Sequence, residues 1–210
     1  MKKKIIGVLI CMLLLATTIP LTTVAVVNKV EKKNMIPTMI GDENDPEIED
    51  ETGDTELGLL DIESAWFYEK EDEHEYLYTA LKIKDLKETF NAVFSIRWMY
   101  NNEEYVSGLD TFFYREKIFR SGLPQRATYW QWKSMPECEG ILDQNTGVIT
   151  WKILKSNIGN PQKGDVLTHT KANAVPGFPV SFIFFFSGRD YRDFAPDAIG
   201  EYGQDYVIQY

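Results

Sequence analysis

Downstream of residue 56 the side chains fall into short runs in which apolar and polar positions alternate, and no stretch carries a long amphipathic helical repeat. Residues 59–68 place Ile62, Ser64, Trp66 and Tyr68 on one side and Glu63, Ala65 and Phe67 on the other. After a charged loop at 69–75, Leu77, Thr79, Leu81 and Ile83 alternate with Tyr76, Tyr78, Ala80, Lys82 and Lys84. That pattern predicts a strand with one buried and one solvated face. In 90–100, Phe94, Ile96, Trp98 and Tyr100 share a face while Ser95 and Arg97 point away. Asn101 and Asn102 tolerate the left-handed backbone of a tight hairpin, so 103–114 is expected to return alongside.

The same reading continues to the end of the chain. A strand is predicted over 126–133, carrying Tyr129, Trp130 and Trp132. A turn at 143–147 leads into 148–154, where Ile149, Trp151 and Ile153 face together, and 155–159 reads as a single helical turn. Residues 164–174 read as a short edge strand. Residues 180–186 are apolar on both faces, which predicts a central strand covered from both sides, and 206–210 closes the chain as a strand. Short strands without intervening helices predict an all-β fold, an antiparallel two-sheet β-sandwich, with a closed barrel as the alternative.

The N-terminus changes the compartment. Lys2, Lys3 and Lys4 precede 5–27, a stretch with no charged side chain, which is the pattern of an export signal and of an N-terminal hydrophobic helix. Small residues around Thr23, Val24 and Ala25, shortly after the helix-breaking Pro20, fit cleavage after Ala25. The stretch is also long enough to cross a hydrocarbon core, which needs about 17–25 apolar residues. Residues 1–27 are therefore a signal peptide or a membrane anchor, and either places the remainder outside the cytoplasm.

Charge sharpens the picture. The formal net charge is −10, and removal of a leader bearing three lysines and no acids takes it to −13. Downstream of Lys33 no Lys and Arg cluster exists of the kind that releases phosphate counterions, which argues against nucleic acid as a partner. Nine acids crowd 42–56, and with Pro46 and Gly53 among them residues 28–56 read as an acidic, disordered linker ahead of a domain at 57–210. An EF-hand does not fit there, since Pro46 and Glu47 occupy the places of a ligand and a turn glycine. Cys11 belongs to the leader, and with Ile10 before it is not a lipoprotein site. Cys138 is then alone, a small residue in a turn region, and stability must come from a hydrophobic core.

Residues 147–167, GVITWKILKSNIGNPQKGDVL, resemble the strand, helical turn and loop of extracellular β-sandwich domains similar to family 9 carbohydrate-binding and DOMON-like modules, which accompany secreted archaeal proteases and surface proteins. Asp193, Ala195, Pro196 and Asp197, then Gly203, Asp205, Tyr206 and Val207, are similar to the terminal loop and last strand of that group. The resemblance covers 57–210 and implies a jelly-roll or immunoglobulin-like sandwich, with ligands that range from sugars to haem. No Met and His pair supports haem here, and a protease domain is absent, so the chain resembles the accessory module alone.

Candidate chemistry is sparse. There is no G-x-S-x-G elbow, H-E-x-x-H helix, phosphate loop or dinucleotide fingerprint. His74, between Glu73 and Glu75, and His169, between Thr168 and Thr170, sit in polar surroundings that favour a surface role. Asp190, Asp193, Asp197, Glu201 and Asp205, interleaved with Gly188, Pro196, Gly200 and Gly203, form a candidate calcium cage, because a hard cation takes several oxygens from an irregular loop. Pairing of those acids with Arg189 and Arg192 is the competing arrangement. Tyr105, Tyr129, Trp130 and Trp132 are the candidate aromatic platform for a sugar, whereas Trp98 and Trp151 share faces with apolar neighbours and read as core. The expectation is a non-catalytic binding or interaction module at the cell surface. Its partner is an extracellular glycan or a surface protein, with calcium as a stabilising ion and the membrane met only through an uncleaved N-terminal segment. The alternatives are a secreted glycoside hydrolase using a carboxylate pair, which sequence abundance alone cannot identify, and a structural component of the envelope.

Overall fold

A computed structural model describes residues 43–111, 117–124, 135–177, 180–181, 191–197 and 200–210. The expected leader or anchor at 1–27 and the expected strand at 126–133 lie outside these residues. Among the described residues no helix is long and apolar enough to cross a membrane.

The chain is all-β, with two antiparallel sheets. The first contains β1 (Ile48–Glu49), β2 (Ile62–Tyr68), β3 (Tyr76–Ile83), β7 (Glu139–Asp143) and β8 (Val148–Leu154), in the order β1-β2-β3-β8-β7. The second contains β4 (Ala92–Tyr100), β5 (Glu103–Asp110), β6 (Ile118–Gly122), β9 (Val166–Pro176) and β10 (Asp193–Ala195), in the order β10-β9-β4-β5-β6, and β11 (Tyr206–Val207) also pairs with β9.

Local sequence accounts for the turns. Asn101 and Asn102 both take positive φ, 51° and 63°, which is the hairpin geometry expected of them and sets the β4–β5 register. At the β7–β8 turn, Asn145 N donates to Asp143 Oδ1 and Gly147 N to the Asp143 carbonyl. Gly147 has φ +76°, and a Cβ there would stand 2.6 Å from the Ile83 carbonyl oxygen, so no other residue fits without movement. The helical turn expected after β8 is a 3-10 turn, Lys155–Ile158, closed by Gly159 in the left-handed region.

The inward faces of both sheets share one core. Leu77, Leu81 and Ile83 of β3 and Ile149, Trp151 and Ile153 of β8 come from the first sheet. Phe94, Ile96 and Trp98 of β4 and Leu109 of β5 come from the second. Phe67 meets Trp98 edge-on with centroids 5.5 Å apart, and Phe119 meets Trp151 edge-on at 6.1 Å. At mid-core Thr79 Oγ1 and Ser107 Oγ lie 2.9 Å apart and join the sheets by a buried hydrogen bond. The indole N–H groups of Trp98 and Trp151 are buried without a partner. Each such group costs about 1–3 kcal/mol. Burying 150–250 Å² of ring at roughly 25 cal/mol per Å² returns about 4–6 kcal/mol. Ring burial therefore outweighs the orphaned donor.

Several elements depart from the alternation read in sequence. Ile62 shares its predicted face with Trp66 and Tyr68, yet it lies in the central core while they form a second cluster with Tyr78 and Ala80. The register of β2 on β3 shifts between Ile62 and Ser64, and that irregularity turns Ile62 to the other face. The face of β3 expected to be solvated is largely covered, because Tyr68 stacks on Tyr78 at 4.8 Å and Lys70 sits 4.3 Å over the Tyr78 ring. The edge strand expected at 164–174 is β9, which is paired on both sides, to β4 and to β10 and β11. In the expected central strand at 180–186, Val180 and Ser181 are instead helical, with Ser181 N donating to the Gly177 carbonyl, and the rest lies outside the described residues.

The linker expected over 28–56 is ordered where it is described. Ile48 is fully buried in the core, Glu47 Oε2 accepts from Phe67 N at 2.8 Å, and Gln204 N donates to the Glu47 carbonyl. The C-terminal segment is fastened from the other direction. Lys155 Nζ lies 2.5 Å from Glu69 Oε1 and donates to the Tyr210 carbonyl at 2.6 Å, while Glu69 Oε2 accepts from Gln209 N and Tyr206 Oη.

Two substitutions test this core. Trp151→Ala is expected to lose about 3–5 kcal/mol in a denaturant melt; a loss below about 1 kcal/mol would refute its burial. Lys155→Met is expected to cost about 3–5 kcal/mol by stranding the sealed Glu69 carboxylate, and adding Glu69→Leu should recover most of that loss.

Candidate functional site

Two of the five acids predicted to form a calcium cage come together, joined by two from the stretch read as linker. The carboxylate oxygens of Asp50, Asp54, Asp193 and Asp197 lie within 4.8 Å of one another. Two separate stretches of chain meet here. Asp50 immediately follows β1, held by its N–H donating to the Glu63 carbonyl. Asp54 belongs to the following turn, where Gly53 takes φ +94° and its N–H donates to both carboxylate oxygens of the buried Asp61 at 3.0 and 2.9 Å. Lys84 Nζ then neutralises Asp61 at 3.0 Å, which keeps that cation on the structural carboxylate. Asp193 opens β10 and Asp197 follows it.

Asp193 anchors the group. It is 2% exposed, its Oδ2 accepts from Ile62 N at 2.6 Å and its Oδ1 accepts from Phe194 N at 2.8 Å. Those bonds leave lone pairs on both oxygens. Asp50 is half-buried, and its Oδ2 is sealed from solvent without a hydrogen-bond partner. Asp54 and Asp197 are exposed and complete the mouth of the site. Among the described residues the ion pairs lie elsewhere and involve none of the four.

The electrostatics follow from this crowding. Burial first, then the charges of Asp193, Asp197 and Asp54, push the Asp50 carboxyl up to about 8. Burial likewise raises Asp193 to about 6 against its two backbone donors. Asp197 is raised by burial and by Asp54. Nearby, burial lifts Glu47 to about 7.

The donor set is all oxygen and anionic, which suits a hard divalent cation rather than zinc or copper. Ligands on opposite sides of a calcium ion, each about 2.3–2.6 Å away, are about 4.6–5.2 Å apart, whereas magnesium brings them to about 4.1 Å. One oxygen from each of the four carboxylates lies within 4.8 Å of the others, close enough for all four to reach one calcium ion. With some carboxylates bidentate, four acids reach the six to eight oxygens, roughly, that calcium takes.

The other predicted residues are placed differently. Glu201 and Asp205 are exposed and outside the cluster, and Asp190 and Arg189 lie outside the described residues. The Arg192 guanidinium lies over the Phe194 ring, 5.5 Å from the centroid. Tyr105 is 7% exposed and stacks on Trp98, because its position on β5 faces inward. It is therefore not a surface platform, and Tyr129, Trp130 and Trp132 lie outside the described residues. His74 and His169 are exposed, each edge-on to a tyrosine, Tyr210 and Tyr202 respectively. Cys138 is a partly buried free thiol pushed up to about 12 by burial.

Sequence reasoning missed Asp50 and Asp54. The available signal was Ile48, an isolated β-branched residue inside an acidic run, which marks a point where that run touches a core.

The raised carboxyls make a pH test with a definite sign. The native state holds these protons above the ordinary values of 3.8 and 4.5, so between about pH 4 and 8 it binds more protons than the unfolded chain. In cation-free buffer the melting temperature is expected to fall as pH rises through that window, and saturating calcium should flatten the fall. A rising or level profile without cation would count against the cluster.

No protein-family model, curated protein or solved structure matches the chain.

Proposed function

We propose that this chain is a non-catalytic recognition module displayed outside the cytoplasm, a β-sandwich of immunoglobulin-like type whose loop end is clamped by calcium. Convergence of Asp50, Asp54, Asp193 and Asp197 at that end carries the reading. Three connections gather there. The β3–β4 connection begins at Lys84 beside Asp61, and the β5–β6 and β9–β10 connections leave from Thr111 and Gly177. Thr111 Oγ1 donates to the Phe90 carbonyl, Ala92 N donates to Thr111 Oγ1, and Gly177 N donates to the Asn91 carbonyl. Loops held on a rigid frame are the usual seat of recognition.

The strand order favours the immunoglobulin-like form over the jelly roll. With β2, β3, β7 and β8 as A, B, D and E, the first sheet reads A-B-E-D. With β10, β9, β4, β5 and β6 as G, F, C, C′ and C″, the second reads G-F-C-C′-C″. Trp98 then occupies the buried tryptophan position of strand C, without the accompanying disulfide. Export rests on the charged start and apolar stretch of 1–27.

The test is a thermal melt of the full-length chain with chelator and with excess calcium. Calcium at about a hundredfold over its dissociation constant is expected to add about 2.7 kcal/mol, or roughly 5–10 °C for a domain of this size. Asp197→Asn, at the exposed mouth of the site, and Asp193→Asn should each abolish most of that shift. An identical melt in both buffers would exclude the cation.

A further inference from the structure

Residues 43–49 run as a strap along one side of the sandwich. Toward the first sheet, the two residues of β1 pair with β2, Ile48 opposite Ala65 and Glu49 opposite Ser64. Toward the second, the Glu47 carbonyl accepts from Gln204 N at 2.6 Å. The loop that carries Gln204 is tied to β9, because Gly203 N donates to the Thr170 carbonyl and Thr170 Oγ1 donates to the Gln204 carbonyl. The strap therefore bridges the edge of one sheet to the other. Its fit is close. A Cβ on Gly203 would stand 2.3 Å from the Glu47 carbonyl oxygen and 2.8 Å from Ile48 Cγ1, so the loop reaches the strap only as glycine. Pro46 and Ile48 are buried.

At its start the strap is held superficially. Glu43 pairs with Lys82 at the surface, and Lys82 also has Glu63 at 3.6 Å to keep when Glu43 leaves. The next hold is downstream, where Asp50 N donates to the Glu63 carbonyl and Gly53 N to Asp61, which places a hinge at Asp50. At the centre sits Glu47, half-buried, with Oε2 accepting the Phe67 N–H at the edge of β2. Among the described residues no ion pair involves this carboxyl. The groups that face it are the Asp45 carboxylate of its own segment, the Phe67 amide of β2 and the Tyr206 hydroxyl of β11. Behind Tyr206, Glu69 is already neutralised by Lys155. Loss of water at Glu47 outweighs the Phe67 N–H that favours the anion, so the docked strap favours the neutral acid.

We propose that residues 43–49 are a proton-locked strap, docked across the two sheets in acid and released from the edge of β2 as the medium turns alkaline. The inference goes beyond the cation clamp and does not require it, since Glu47 is not one of the four converging acids. Geometry carries it. A carboxyl without a cation is sealed in the middle of a segment held by two strand pairs and one loop, and the fold takes hold again at Asp50. Linkage gives the sign. The docked strap keeps the Glu47 proton up to about pH 7, whereas a free strap gives it up near the ordinary 4.5. Docking therefore weakens by up to about tenfold per pH unit between those limits and is level outside them. Release frees the Phe67 N–H. It also moves the first held residue, among those described, from Glu43 to Asp50, which is about 23 Å of extended chain at roughly 3.3 Å per residue. In a module displayed outside the cytoplasm, as proposed above, the reach of the domain then follows the acidity of its surroundings.

Amide hydrogen exchange of the full-length chain in chelator tests this, with each rate divided by its unstructured value so that the intrinsic pH dependence cancels. Protection of the Phe67 and Gln204 N–H groups is expected to fall at least tenfold from pH 5 to pH 8. At every pH it should stay below that of Thr79 and Leu81, whose strand is paired on both sides. Glu47→Gln keeps the acceptor for Phe67 N but cannot ionise, and should hold the protection within about threefold over the same range. Gly203→Ala breaks the clasp by a different route and should strip Phe67 of protection already at pH 5. A level profile in the natural chain, or one that falls as steeply in Glu47→Gln, would overturn the proposal. Phe67 exchanging no faster than Thr79 and Leu81 would overturn it too, since the strap would then open only with the whole domain, as would unchanged Phe67 protection in Gly203→Ala. A calcium shift of the melt with level exchange rejects the strap alone, whereas strap release without a calcium shift rejects the clamp alone.

Discussion

Everything in this chain hangs on the joint burial of two inward sheet faces around Trp98, Trp151 and Phe67. No cross-link joins the sheets, since Cys138 is the free cysteine of the described residues. Apolar burial must therefore hold them, assisted at mid-core by the Thr79 to Ser107 hydrogen bond. The core also sets the surface chemistry. Asp193 is placed by Ile62, whose side chain is buried in that core while its N–H fixes the carboxylate. A site tied so directly to packing is held with little freedom. Carboxylates held this close and partly out of water are driven toward the protonated form, by burial first and by their mutual charge second.

Where one physical signal dominated, the sequence was legible. Strand β8 alternates cleanly because it buries one face, and the paired asparagines mark a hairpin because few other residues accept that backbone. Strands β6 and β7 were missed. They are short edge strands with exposed positions such as Ile141, so partner strands rather than their own pattern define them. Ile62 was assigned to the wrong face because a one-residue irregularity reverses every position before it and leaves no mark in composition.

The acidic segment shows the limit most clearly. Composition treats its carboxylates as mutually repelling and solvated, and for much of the stretch that holds. Yet Ile48 contributes a buried side chain, Glu47 accepts a strand N–H, and the two residues of β1 pair with β2. A few local contacts at the right register outweigh an average over fifteen residues or so, because ordering entropy of about 1–2 kcal/mol per residue applies only to the residues held. Of the five acids proposed from spacing, Asp193 and Asp197 belong together because β10 holds them. Their partners come from a point more than a hundred residues earlier, which no local pattern can reveal.

Charge is distributed unequally between the two sides of β10. Acids converge beside the start of β10, and Asp193 and Phe194 are adjacent residues of that strand that serve opposite sides of it. Asp193 turns inward opposite Ala174 and Phe194 turns outward opposite Asn173. The same short strand that carries Asp193 into the acidic cluster positions Phe194 and the overlying Arg192. Because β10 has only three residues, its register depends on what holds Asp193. Carboxylate convergence on the inner side and presentation of Phe194 on the outer side are therefore two consequences of the same pairing with β9.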